Sequence, residues 1–239
     1  MKDLYNLHKF YNIETKGKSS KQLNNRRKSF GYQVLGFGSG GGVAVAGNDN
    51  GIFGYGTTGG SSTVSMTNLV SNAGVIASDV TGVGTVRYIQ AAVEYGTDKG
   101  LFAYGYGGGG WPTVTNLVSN VGVIADDNSV AGTSRQHPGG CDYGGDKGII
   151  AYGYNSVAGG ISVSNLVSNS GVVSSDVTGV GTAGDALAAC EYGQDKGIFG
   201  YGDGSALNLT NLVSNAGVVS TDVTGVGTAR EAPAACSYN

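Results

Sequence analysis

The sequence predicts an all-β protein: a β-propeller of four complete blades, closed by a two-stranded fifth blade built from both ends of the repeat region, and preceded by a basic arm. Three observations predict it. A glycine-bounded hairpin phrase recurs with its turn acid at Asp49, Asp98, Asp146 and Asp195, a period of 48 or 49 residues. A second phrase, Asn-Leu-Val-Ser-Asn-x-Gly-Val, starts at Asn68, Asn116, Asn165 and Asn211. Each unit also divides into four short strands, which is the content of one propeller blade.

Residues 1–29 stand outside the repeat. They hold eight of the fourteen Lys and Arg against Asp3 and Glu14 alone, whereas the remainder carries six basic and fifteen acidic residues. A +6 arm on a −9 body suggests that the arm meets a surface the body does not. Leu4, Leu7, Phe10 and Tyr11 supply an apolar anchor on a short amphipathic helix ending near Glu14. The stretch 15–29, with Arg26, Arg27 and Lys28, is polar and aperiodic, so it is expected extended or disordered unless a partner orders it. The N-terminus has no uninterrupted apolar core, which predicts synthesis in a cytoplasm without export or membrane anchoring.

From residue 30 the elements follow in order. Ser29 to Gly38 reads as a lone second strand, and Ala234 to Tyr238 as a lone first strand. Pairing them closes the ring and removes two free edges. In the second copy the four strands run approximately Ala91–Tyr95, Leu101–Gly105, Thr113–Ser119 and Val123–Asp127, with turns at Gly96-Thr97-Asp98-Lys99 and Asn120-Val121-Gly122. The 45 glycines sit at fixed repeat positions and therefore read as turns rather than as disorder.

Cys141, Cys190 and Cys236 share one repeat position, where the first such strand of the second copy has Val93. A position that accepts valine wants a small apolar side chain, so all three thiols are expected reduced and buried. Asp79, Asp176 and Asp222, each before Val-Thr-Gly, read as local Asx turns, since a calcium ion needs several oxygen ligands. No Ser/His/Asp or Cys/His order accompanies His8 and His137, so no enzyme, cofactor or metal is expected.

Strands that alternate direction put the first and third connections on one face and the second and fourth on the other. The first and third are near-constant, while the second (57–63, 106–112, 154–161 and 203–207) and the fourth differ between copies. Loops on a rigid scaffold carry recognition, which makes the second face the binding face. The candidate ligand residues there are Tyr106, Trp111, Arg135, His137 and Tyr154, with Trp111-Pro112 as a mere plug of its glycine-rich loop left open.

The layout of Gly197-Ile198-Phe199-Gly200-Tyr201-Gly202, followed by a hairpin and Thr228-Ala229-Arg230, resembles a Kelch blade over residues 43–239, without the Kelch tryptophan or its strict Gly-Gly doublet. The phrases 195–202, 211–215 and 224–230 further resemble repeats in structural proteins of tailed phages of marine bacteria and cyanobacteria. That resemblance implies a virion part: a tail, fibre or capsid-decoration component. The expected partners are other virion proteins through the arm (Leu4, Leu7, Phe10, Tyr11, Arg26, Arg27 and Lys28), and a host-surface glycan or protein on the variable face. The alternative is a free-standing, lectin-like propeller. An acidic body disfavours nucleic acid.

Overall fold

The computed structural model describes residues 50–59, 62–202 and 207–238, all within one compact unit, Asn48–Asn239. The arm 1–29, with all seven of its docking residues, and the expected strand at 30–38 lie outside the described residues. Among those described there is no helix, only short antiparallel sheets.

Copy one contributes β1 (Gly51–Gly54), the small hairpin β2 (Thr57–Thr58) and β3 (Ser62–Thr63), and β4 (Thr67–Val70), with β1 paired to β4. Copy two is a four-stranded meander of β5 (Ala91–Tyr95), β6 (Lys99–Ala103), β7 (Val114–Val118) and β8 (Asn128–Ser129). Copy three has β9 (Gly139–Tyr143), β10 (Lys147–Ala151), the hairpin β11 (Tyr154–Asn155) and β12 (Gly159–Gly160), and β13 (Ser164–Val167). Copy four repeats the four-stranded meander as β14 (Ala188–Tyr192), β15 (Lys196–Gly200), β16 (Leu209–Val213) and β17 (Val223–Thr224).

The local reasons are those in the chain. The β5–β6 turn needs two left-handed residues in a row, Gly96 at φ 63° and Thr97 at φ 71°, and copy three meets the same need with Gly144 and Gly145. After β7 the Ser119 hydroxyl accepts the amide of Val123 at 3.1 Å, and the same bond joins Ser168 to Val172 and Ser214 to Val218. The four expected strands per copy are met only in copies two and four, whose fourth strands have two residues each. In copies one and three the fourth strand is replaced by isolated bridges at Ile76 and Val80 and at Val173 and Val177. In copy two it is a bridge at Ile124 and then β8, because the side chain of Asp127, within the expected span Val123–Asp127, is bonded into the previous copy.

The core lies between copies, not within them. Val93, Tyr95, Leu101 and Tyr104 of copy two pack with Ile150 and Val167 of copy three; Cys141, Tyr143, Ile149 and Tyr152 of copy three pack with Phe199 and Val213 of copy four. Each large side chain so buried stabilises by about 1.5–3 kcal/mol. Successive first strands are neighbours, β5 beside β9 and β9 beside β14. The small position on them sits against a glycine of the next copy: a Cβ on Gly197 would lie 2.6 Å from Cys141 Sγ, and one on Gly148 would lie 2.9 Å from Val93 Cγ2. Any larger residue at 148 or 197 would force those strands apart.

The thiols correct one expectation. All three are free, but only Cys141 is buried; Cys190 is half-buried and Cys236 exposed. Burial of this position comes from the following copy, so it fades towards the end of the described chain. The segment around Cys236 runs beside β14, where Ser237 Oγ donates to the Glu191 carbonyl at 2.9 Å. It forms no ladder among the described residues, and its expected partner, 30–38, lies outside them.

Candidate recognition face

The second and fourth connections do share a face, since they pair with one another. Tyr88 bridges Tyr106, and Gln136 bridges Tyr154. The opposite face carries the constant turns, where Asp98, Asp146 and Asp195 each hold the next lysine and the amide of Asn120, Asn169 or Asn215.

On the variable face Tyr106 and Trp111 meet edge to face, ring centroids 5.0 Å apart at 67°. Tyr88, which sequence reasoning passed over, stands against Tyr106 at 5.8 Å and 85°. Their backbones are locked by reciprocal bonds of 2.9 and 3.0 Å. Thr57, Thr63, Tyr88, Tyr106 and Gly107–Gly109 line a cleft of about 590 Å³. Tyr154 is exposed on the neighbouring connection.

Arg135 is elsewhere. It is fully buried between copies two and three, its guanidinium 4.1 Å over the Tyr104 ring. Nη2 donates to Asn165 Oδ1 at 2.6 Å and to the Ile150 carbonyl at 3.3 Å, and Nη1 donates to the Thr133 carbonyl at 3.0 Å. No surface ligand reaches it, so Arg135 is a structural cation and not a binding residue. Burial lowers its pKa, with the neighbouring Tyr104 and Asp176 opposing that shift. Arg87 repeats the arrangement between copies one and two, over Tyr55 and onto Asn116.

A second device accompanies the arginines. Thr85, Thr133 and Thr182 each give a backbone N–H and a hydroxyl to an aspartate of the next copy: Asp127, Asp176 and Asp222, with the hydroxyl bonds at 2.6, 2.6 and 2.7 Å. Each aspartate also accepts from the asparagine of its own copy: Asn116, Asn165 or Asn211. Burial alone would raise these carboxyls, but the threonine and asparagine donors outweigh it and hold them below the usual carboxylate range. Asp176 and Asp222 are therefore staples between copies rather than Asx turns, while Asp79 accepts from Asn68.

His137 has a structural setting too. Its φ is 52°, matching Ile89 at 52° and Ala186 at 51° one copy away on either side. The backbone of His137 takes part in a relay in which its N–H donates to the Ile89 carbonyl and its own carbonyl accepts from Ala186. Its Nδ1 lies 3.2 Å from Asp185 Oδ2. The five candidates thus do not form one site: Tyr106 and Trp111 join Tyr88, whereas Arg135 is internal and His137 and Tyr154 belong to the next connection.

The first strands bring a further group together. Glu94, Asp142 and Glu191 occupy equivalent positions on β5, β9 and β14, and the Glu94 N–H donates to Asp142 Oδ1 at 3.1 Å. Burial first, and then the charges of Glu94 and Glu191, push the Asp142 carboxyl up to about 7. Among the described residues no three His, Cys, Asp or Glu side chains are placed to hold a metal ion, and no helix is long and apolar enough to cross a membrane. No protein-family model and no curated protein matches the chain.

Proposed function

We propose that the chain is a non-enzymatic virion protein of a tailed phage, docked by residues 1–29, whose repeat region is a propeller presenting the second and fourth connections for recognition. The observation that carries the reading is the sorting of variation. The connections that differ between copies pair on one face, and the turns that do not differ sit on the other. A scaffold that varies on one side only is built to present that side.

The ends of the described chain support closure into a ring of four blades plus a two-stranded fifth from 30–38 and 232–238. Phe53 of copy one is 62% exposed while its counterparts Phe102 and Phe199 are buried, and at the other end Leu212 is 40% exposed. These are the surfaces that two sides of a gap present. The virion reading rests on the likeness of the repeated phrases to those of phage structural proteins. Mass spectrometry of purified particles should find the chain, and deletion of residues 1–29 should release it. A chain absent from particles, or retained without the arm, would sink the reading. For closure, deletion of 230–239 should cause aggregation through freed strand edges; a soluble, monomeric product would count against the ring.

A further inference from the structure

We infer that the cleft lined by Thr57, Thr63 and the Tyr88–Tyr106 ring pair is a binding site for a neutral saccharide. This rests on the recognition half of the proposed function and not on docking to a particle. The cleft volume, about 590 Å³, falls in the range of small-ligand sites. Two of its lining side chains, Tyr88 and Tyr106, touch edge to face at 85°, and together they offer aromatic surface to the cleft. The Tyr106 ring is braced by Trp111, and the pair is held in place by the reciprocal backbone bonds of Tyr88 and Tyr106.

The chemistry of the lining selects the ligand. The hydroxyls of Thr57, Thr63, Tyr88 and Tyr106 can each donate or accept. The turn Gly107–Gly110 is closed by its own two backbone bonds, and open space surrounds Gly108 and Gly109, so a ligand can approach the main chain closely. Among the described residues, no charged side chain lines the cleft. The nearest arginine in sequence, Arg87, is fully buried and engaged by Tyr55 and Asn116. A pyranose offers apolar C–H faces to aromatic rings and a rim of hydroxyls to hydroxyl partners, which is what this cleft can meet. Among the described lining residues, a sialylated or phosphorylated ligand would find no cation, and a charged peptide no counter-charge.

The test titrates the full-length protein with maltose, lactose, cellobiose and N,N′-diacetylchitobiose, with sialyllactose as the acidic counterpart. Binding is read by calorimetry and by the emission of Trp111, the single tryptophan. At least one neutral disaccharide should bind saturably. Tyr88→Ala should weaken it by about tenfold, whereas Tyr88→Phe, which keeps the ring, should stay within a few-fold. Thr63→Val, nearly equal in volume, should also weaken it if the hydroxyl contacts are real. Saturable binding of none of the four, of sialyllactose alone, or with full affinity in Tyr88→Ala would overturn the inference. A chain that binds a disaccharide but is absent from particles would sink the virion reading and leave this one standing; a particle component with no saccharide affinity would do the reverse.

Discussion

The junction between copies two and three and that between copies three and four share one plan and differ at the ring: Ile150 in the first is Phe199 in the second, and only the first has an arginine. Both have the face-to-face core and the threonine–aspartate staple. The first adds Arg135 beneath Tyr104; at the second, the equivalent position is Gly184 and the equivalent ring is Tyr152. The main chain barely registers the difference. Gly105 donates to the Arg135 carbonyl at 2.9 Å, and Gly153 donates to the Gly184 carbonyl at 2.9 Å. The staple and the apolar core therefore define the junction, and the arginine is an addition to a geometry already made.

The sharpest test removes the addition where it exists. Arg135→Ala strips donors from Asn165 and from two carbonyls inside a closed core, and should cost about 3 kcal/mol in chemical denaturation. The reverse experiment, Gly184→Arg, places a guanidinium over Tyr152 and should gain about 1 kcal/mol. If Gly184→Arg destabilises instead, the second junction, with Phe199 in place of Ile150, does not accept the arginine that the first one holds. Next comes the staple. At the arginine-free junction Asp222→Ala removes the acceptor of Thr182 and Asn211 and should cost about 2 kcal/mol. Cys141 reports on the same junction: its thiol faces Gly197, and burial pushes its pKa up to about 12. A thiol reagent should label Cys236 first, Cys190 next and Cys141 last, and Asp222→Ala should speed the last step selectively.

The smallest expected effect is on pH dependence, and the two kinds of aspartate oppose one another. Asp127, Asp176 and Asp222 titrate low, so their contribution is complete above about pH 4 and is lost as pH falls through their folded values. Asp142 is raised to about 7, so its contribution is complete below about pH 4 and is lost as pH rises through 7. Asp142→Asn should therefore leave stability at pH 4 unchanged and raise it at pH 8 by about 1 kcal/mol, allowing for solvent screening of this half-buried group. An equal gain at both pH values would mean that the acid row of Glu94, Asp142 and Glu191 does not repel.

What the sequence shows well is whatever recurs locally. The hairpins were legible because left-handed turn positions admit few residue types, and the shared face of the second and fourth connections followed from strand alternation. What it hid are contacts one copy apart. Asp176 reads as a turn residue until Thr133, 43 residues earlier, is seen bonded to it. Arg135 reads as a surface ligand for the same reason, although a signal was present: Thr-x-Arg recurs at 85–87, 133–135 and 228–230. A residue repeated in three copies answers to the scaffold, whereas Tyr88 and Trp111, each present once, answer to the face.

The directionality of the staple has a genetic consequence. Copies two and three each offer an aspartate backwards and a threonine forwards, so either can stand beside the other. Unequal recombination within the nearly identical stretches that begin at Asn68, Asn116, Asn165 and Asn211 joins one copy's aspartate to another copy's threonine without leaving either unpaired. Such an event delivers whole units with intact seams and exchanges only the connections between them, so new combinations of surface loops arise in a single step, with no new junction to be evolved.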